Sequence, residues 1–301
     1  MKLDYLAVWA RAKVNLVHEV LGRRADGYHE VRTVLHAIDL ADVLEFQLAD
    51  HLSLSCYPLG GPGAQAPEGP ENLVYRAATL LRQVTGSTRG ARMTLYKGIP
   101  AGSGLGGGSS DAAVTLLALN EMWELGLRVD ELAQMAAQLG SDVPFFLTGG
   151  AAWGEGRGER CEPLPRLPDC LVVVACPPAS VSTAAVYQAW DTAASPRRAG
   201  EQASEMVRAL QAGDLESVAR CLGNDLRPLA ERMVPAVTEA LYLLRAEGAL
   251  GAEMSGSGPA VFGLFPSLAA ACRAKSALRR HGNAVYICRP VGPWRWSGGG
   301  E

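Results

Sequence analysis

No run of about 18 apolar residues, the length a helix needs to cross a bilayer, occurs anywhere in this 301-residue chain. Nor does Met1-Lys2-Leu3-Asp4 open the basic-then-apolar pattern of a secretory leader, so a cytoplasmic protein with no membrane partner is expected. An excess of basic charge is also missing: 28 Lys and Arg against 31 Asp and Glu give a net charge of −3, and no face is implied for nucleic acid. Only the local group Arg23, Arg24 and Arg32 offers cationic side chains to a phosphate. None of the seven cysteines stands in a C-x-x-C pair and several sit in apolar runs such as Leu171–Cys176, which predicts reduced core thiols and not metal ligands. No internal repeat is present. With 48% hydrophobic residues the chain is long enough for two domains with cores of their own, and a boundary is expected near residue 160.

What the sequence does have is glycine in one place. Between Gly102 and Gly108 there are five, in the stretch Pro100-Ala101-Gly102-Ser103-Gly104-Leu105-Gly106-Gly107-Gly108-Ser109-Ser110. The stretch runs straight into the apolar segment Ala112 to Leu119. Glycine lets the backbone take positive φ and turn successive N–H groups inward, and the helix that follows adds the positive end of its dipole. Phosphate is the expected guest. Ser109, Ser110 and Asp111 read as the N-terminal signals of that helix, and no breaker follows before Gly126. Two familiar phosphate motifs do not fit. A Walker loop needs Gly-Lys-Ser/Thr, and here Gly108 is followed by serines without a lysine. A dinucleotide fold places its glycines in the first strand-turn-helix unit with an acid about 20 residues on, whereas this loop lies a third of the way along the chain. The H-R-D and D-F-G companions of protein kinases are absent.

Around the loop the pattern alternates between strand and helix. Residues 3–21 suit one long strand or a hairpin, and residues 33–48 a strand region broken at Asp39 and Asp42. Lys13 and Asn15 share a parity and would leave the same strand face. Leu59–Gly69 reads as a loop, Asn72–Val84 as a helix, Arg92–Lys97 as the strand feeding the glycines, and Val129–Leu139 as a helix stopped by Gly140. Gly149–Gly158 reads as a hairpin, Leu171–Ala175 as a buried strand, and Glu201–Leu222, Val234–Glu247 and Leu268–Arg280 as helices, with strands on either side of a loop at Gly256. From Pro290 onward a disordered tail is expected.

Phosphoryl transfer needs neutralisation of a triphosphate, alignment of the acceptor hydroxyl and help with its proton. The loop supplies the first. Either Ser109 or Ser110 could reach a Mg²⁺, and which of them, if either, the spacing leaves open, so no metal ligand is assigned. Asp142, between a glycine-stopped helix and Pro144, could act as a base or could cap the next segment. Asp26-Gly27-Tyr28-His29 offers an aromatic face and an imidazole, the tools for stacking on a pyrimidine and reading its edge. Asn72 reads as a helix N-cap. His18, His36, His51 and His281 stand without a comparable context.

The pattern P-x-G-x-G-L-G-G-G-S-S strongly resembles the phosphate loop of the GHMP small-molecule kinases, the galacto-, homoserine, mevalonate and phosphomevalonate kinases. Ala10-Arg11-Ala12-Lys13-Val14-Asn15-Leu16 resembles their first motif, and Met254-Ser255-Gly256-Ser257-Gly258-Pro259-Ala260-Val261-Phe262 their third. Arg24–Glu30 and Leu139–Phe146 resemble one branch of the family, whose acceptor is a cytidyl diphosphate alcohol. The resemblance implies an α+β, two-domain GHMP kinase fold, a ribosomal-protein-S5-like N-terminal domain followed by a ferredoxin-like one. It also implies a soluble enzyme, monomer or homodimer, using ATP with Mg²⁺. It casts Lys13 and Asp142 as the catalytic pair and residues 100–110 as the ATP loop, with Asn72 and Lys97 near the adenine. On the acceptor side it casts Asn15, Asp26, Tyr28 and His29, with Tyr187 of the Pro178–Tyr187 stretch as a second aromatic; members of the branch vary at that last position. The alternatives are another GHMP kinase, of homoserine or mevalonate type, and a nucleotide-binding regulator on the same scaffold. The first has no use for Tyr28 and His29, and the second would be expected to have lost Lys13 or Asp142.

Overall fold

The N-terminal apolar stretch forms one strand of 19 residues, β1 (Tyr5–Arg23), paired antiparallel with the 21-residue β2 (His29–Ala49). The computed structural model describes residues 3–59, 66–193 and 201–294. Tyr5, Ala7 and Trp9 of β1 face solvent, whereas from Ala12 to Val20 every residue is buried, because the second half of the chain covers the face that the first half leaves open. The buried stretch is not continuously apolar: Lys13, Asn15, His18 and Glu19 are enclosed with its apolar residues. β2 is not interrupted by its aspartates. Its bulge at Asp39–Leu40 lets Ile38 pair with Ala12 while Ala41 pairs with Arg11, and both carboxylates bind neighbouring backbone. Asp39 accepts from the Arg289 N–H at 2.8 Å; Asp42 accepts from those of Gly98 and Ile99 at 2.6 and 2.8 Å.

The first sheet is completed by β3 (Ser53–Pro58), β4 (Gly90–Lys97), β5 (Ala151–Glu155) and β6 (Arg160–Leu164). Its order is β3-β4-β2-β1, with β5 on β2 and β6 on β5. Three helices cover it: α1 (Leu73–Thr85), α2 (Gly107–Met122) and α3 (Val129–Leu139). α2 is nearly all buried, with Ala112, Ala113, Leu116 and Leu119 against Phe46, Met93 and Phe145 in one core. It begins at Gly107, ahead of the expected start, because Gly106 in the left-handed region caps it; Ser109 and Ser110 therefore lie inside its first turn.

The second sheet has the order β11-β7-β10-β9, from β7 (Leu171–Cys176), β9 (Gly251–Met254), β10 (Val261–Phe265) and β11 (Ala284–Cys288), all antiparallel. The short β8 (Gly223–Asn224) instead joins the first sheet beside β1. Helices α4 (Thr183–Thr192), α5 (Glu201–Ala212), α6 (Leu215–Arg220), α7 (Arg227–Met233), α8 (Pro235–Ala246) and α9 (Leu268–Arg280) pack around this half. The single helix expected over Glu201–Leu222 is two, because Gly213 turns the chain at positive φ and the Asp214 carboxylate caps α6 by accepting from Glu216 and Ser217.

Two further expectations are corrected. The segment after Pro290 is held as far as it is described: Pro290 bridges to Ile38, Pro293 to Gly149, and the Val291 N–H donates to the Ala37 carbonyl at 3.0 Å. Residues 295–301 of that expected tail, and 60–65 of the Leu59–Gly69 loop, lie outside the described residues. The cysteines are all free thiols, and burial pushes those of Cys161, Cys170, Cys176 and Cys288 up to about 12. Cys272, however, is exposed on α9 and is no core thiol. Among the described residues no helix is long and apolar enough to cross a membrane.

Candidate active site

Local backbone chemistry places the glycine loop first. Gly104 and Gly106 sit at φ +86° and +72°, and neither has room for a Cβ. At Gly104 it would lie 2.3 Å from the Ser255 carbonyl oxygen, and at Gly106 2.8 Å from the Phe146 ring. The loop is thus squeezed between the Gly256 loop and the turn after Asp142, while the N–H groups of the first turn of α2, which have no intrahelical acceptor, remain for an anion.

Lys13 is held under this loop. Its backbone N–H donates to the Leu105 carbonyl at 2.9 Å, and its side chain, 3% exposed, hydrogen-bonds the Asn15 amide oxygen. Asn15 cannot rotate away, because its Nδ2 donates to Thr33 Oγ1 at 2.9 Å and that hydroxyl donates to the Val17 carbonyl at 2.7 Å. The Lys13 ammonium lies 3.4 Å from Asp142 Oδ2. Asp142 precedes a 3-10 turn (Pro144–Leu147) whose first residues receive no side-chain cap, so its carboxylate is directed to Lys13 and not to the turn. A carboxylate and an ammonium thereby face one another at the end of a phosphate-shaped loop, the arrangement needed to receive a hydroxyl proton and steady the acceptor oxygen.

The third motif closes the loop from above. Ser255 Oγ donates to the Gly104 carbonyl at 2.9 Å, the Ala260 N–H donates to that of Ser103 at 3.0 Å, and Asn224 Nδ2 donates to the carbonyls of Met254 and Gly256.

From the Lys13–Asp142 pair a cleft of about 920 Å³ leads to the far end of β1 and β2. Its walls there are Tyr28, His29 and Tyr187. Arg157 lies over the Tyr28 ring at 4.7 Å, and the His29 and Tyr187 rings are stacked at 4.6 Å. Tyr187 also reaches down to His18, hydroxyl to Nε2, at 3.0 Å. Burial, with Lys13 adding to it, depresses the His18 pKa to about 4, so its imidazole is neutral at neutral pH.

Of the residues singled out from the sequence, Lys13, Asn15, Tyr28, His29, Gly102, Gly104, Gly106, Ser109, Asp142 and Tyr187 are brought together on this cleft. Ser110 is fully buried behind the loop, which leaves Ser109 as the loop hydroxyl on the cleft wall. Pro100, Ala101, Ser103, Leu105, Gly107 and Gly108 shape the loop without lining the cleft. Asp26 lies off it too; its carboxylate accepts from the Tyr28 N–H at 3.1 Å and from Arg24, fixing the turn that presents Tyr28 and His29. Asn72 caps α1 by accepting from Val74, and Lys97 is sealed beneath the loop between Asp42 and Asp111. Burial opposes the Lys97 charge, but the two carboxylates outweigh it and raise its pKa.

Sequence reasoning missed His18, Arg157, Thr183, Asp191 and Ser257, which also line the cleft. His18 has the wrong parity for the Lys13–Asn15 face; a register shift between Asn15 and Val17 turns it inward. Arg157, Thr183 and Asp191 come from a loop and a helix remote in the chain and no local spacing marks them, whereas Ser257 stood inside the third motif without being singled out.

Comparison with known proteins agrees with this geometry. The GHMP kinases N terminal domain matches residues 72–150 and the GHMP kinases C terminal domain residues 206–284. A 4-diphosphocytidyl-2-C-methyl-D-erythritol kinase of Pelotomaculum thermopropionicum is 49% identical over 284 residues, covering 94% of this chain and 97% of that one. The same-named protein of Moorella thermoacetica is 45% identical, covering 96% and 100%. A crystal structure of 4-(cytidine 5'-diphospho)-2C-methyl-D-erythritol kinase superposes with a TM-score of 0.78 at 38% identity, covering 95% of this chain and 100% of the other. The fold is that of a GHMP-type small-molecule kinase, a phosphotransferase. Within that class the chain belongs to the 4-diphosphocytidyl-2-C-methyl-D-erythritol kinase family.

Proposed function

We propose that this chain transfers the γ-phosphoryl group of ATP to the 2-hydroxyl of 4-diphosphocytidyl-2-C-methyl-D-erythritol, in the cytoplasm, as a step of the methylerythritol phosphate route to isopentenyl diphosphate. The observation that carries this reading is one continuous cleft with a glycine loop and a Lys13–Asp142 pair at one end and three aromatic rings at the other. The N–H groups of the loop and of the start of α2 hold the phosphates, and Lys13 neutralises charge that develops on the group in transit. Asp142 accepts the hydroxyl proton of the acceptor. Mg²⁺ bound with the triphosphate supplies charge neutralisation. Among the described residues no group of three or more His, Cys, Asp or Glu side chains is placed to hold a metal, and Ser109, on the cleft wall, is the loop hydroxyl that would contact it. Tyr28 and Tyr187 enclose the cytosine, and His29 reads its edge.

The test is ADP release from MgATP with a panel of alcohols. Activity on the cytidyl compound and none on homoserine, mevalonate or galactose is expected. Tyr28→Ala should raise the acceptor KM by an amount equivalent to about 1–3 kcal/mol, the usual worth of a base–aromatic stack, and leave the KM for ATP nearly unchanged. Turnover of mevalonate or homoserine without turnover of the cytidyl compound would refute the substrate while leaving the phosphate-loop argument standing.

A further inference from the structure

His29 does not hang free in the cleft. Its Nε2 lies 2.8 Å from Asp191 Oδ1, and the ring is stacked on Tyr187 with planes 29° apart and set edge-on to Trp190. Asp191 is steadied in turn by Arg23, whose Nη1 lies 3.7 Å from the other carboxylate oxygen. A carboxylate only accepts, so the Nε2 of His29 must carry a hydrogen, and in the neutral ring Nδ1 is then a bare acceptor. The stacking decides where that acceptor points. A base hydrogen-bonded to Nδ1 lies in the imidazole plane and is therefore roughly parallel to the Tyr187 ring, the orientation a stacked pyrimidine needs.

We infer that Asp191 is a positioning residue that makes this cleft select cytosine over uracil, by holding the hydrogen of the neutral His29 ring on Nε2 so that Nδ1 accepts. Cytosine presents its exocyclic amine at the edge where uracil presents a carbonyl oxygen. The first completes a hydrogen bond with Nδ1; the second sets two lone pairs against each other. Asp191 touches neither substrate nor phosphate in this arrangement, and its effect reaches the base only through His29. The inference rests on the cytidyl reading of the acceptor site and adds the residue that enforces it.

The experiment pairs a binding readout with a kinetic one. Calorimetric titration of the wild-type chain with CDP and with UDP should show CDP bound about tenfold tighter or more, the worth of one satisfied against one opposed hydrogen bond. Asp191→Ala should bring the two within about twofold and raise the KM of the cytidyl acceptor, with kcat at saturation and the KM for ATP retained. Asp191→Asn, whose amide can donate to Nε2 as well as accept from it and so no longer dictates the tautomer, should lose part of the preference. Imidazole ¹⁵N spectra should place the His29 hydrogen on Nε2 in the wild type and spread it over both nitrogens in Asp191→Ala. If Asp191→Ala retains the full CDP preference, or leaves the His29 hydrogen on Nε2 alone in the ¹⁵N spectra, the inference is overturned while the functional reading stands. A wild-type chain that neither prefers CDP nor turns over the cytidyl acceptor overturns both.

Discussion

Two buried lysines pack against the glycine loop, Lys13 at Gly106 with one aspartate for a partner and Lys97 at Gly107 with two, and their surroundings differ. Lys13 is 2% exposed and Lys97 is 5% exposed, so burial does not separate them. Their partners do. Asp142 keeps 34% of its side-chain surface open to the cleft, whereas Asp42 and Asp111 keep 0% and 3%. The sealed group ties elements together: Asp42 accepts from the backbone of Gly98 and Ile99, and Lys97 joins β2 and β4 to α2 through Asp111, 3.0 Å away. Burial, partly offset by Lys97, raises the Asp111 carboxyl well above its ordinary range, as suits an acid closed off from water and from substrate. The open pair reaches the place where a substrate hydroxyl can arrive. The same two residue types thus give a sealed rivet or an open pair, the proposed reaction centre, according to whether one carboxylate can be approached.

The contrast breaks most sharply at the open pair. Asp142→Asn and Lys13→Ala should each lower kcat by about 10²- to 10⁴-fold with smaller changes in KM, and the melting temperature should move little. Near-normal turnover in Asp142→Asn would make the aspartate structural and erase the distinction. At the sealed group the loss moves from turnover to stability. Lys97→Ala should cost about 3–5 kcal/mol of folding stability, because two buried carboxylates lose their cation, and denaturant titration would measure it. Unchanged stability with a raised KM for ATP would instead move Lys97 into the nucleotide site. Gly106→Val touches the boundary between the two groups, where a branched side chain meets both a positive φ and the Phe146 ring. A folded protein whose affinity for ATP, read by calorimetry, falls about tenfold to a hundredfold is expected.

One histidine, His36, adds a second sealed group on a smaller scale. His36 is sealed: its Nδ1–H donates to the Ala37 carbonyl at 2.8 Å and its Nε2 accepts from the Leu167 N–H at 2.9 Å, so only the neutral ring satisfies both. Burial depresses its pKa to about 4. A depressed pKa means that the unfolded chain binds the extra proton between pH 6.5 and 4. The contribution of His36 is therefore complete above pH 6.5 and is lost as pH falls toward about 4. Compared with His36→Leu, wild-type stability should drop by about 2 kcal/mol between pH 7 and pH 5 in urea titrations. A gap independent of pH would show that the ring is already charged.

The strands and helices with strong local signals were legible in the sequence. α3 and α9 have the bounds that Gly140 and Ser267 set, and α2 was misplaced only at its start, where a glycine in the left-handed region caps as well as a serine would. Asp39 and Asp42 misled because acids are poor strand formers in isolation, yet here each carboxylate has backbone N–H partners from a distant segment. The described part of the tail misled for the same reason, its order coming from Ile38 and Gly149.

What the sequence determined alone was the glycine loop and the helix behind it, and the shared face of Lys13 and Asn15. Each of these depends on residues within a few positions of one another: glycine at positive φ, the dipole of an adjacent helix, the two-residue period of a strand. The tertiary structure decided which acid meets Lys13, since Asp142 lies 129 residues away along the chain. It also decided that a register shift turns His18 into the cleft, that Lys97 is sealed between two carboxylates, and that Asp191 grips His29 from α4. Side-chain chemistry is written residue by residue, but whether a charged group is open to a substrate or closed to water depends on which remote backbone is packed against it.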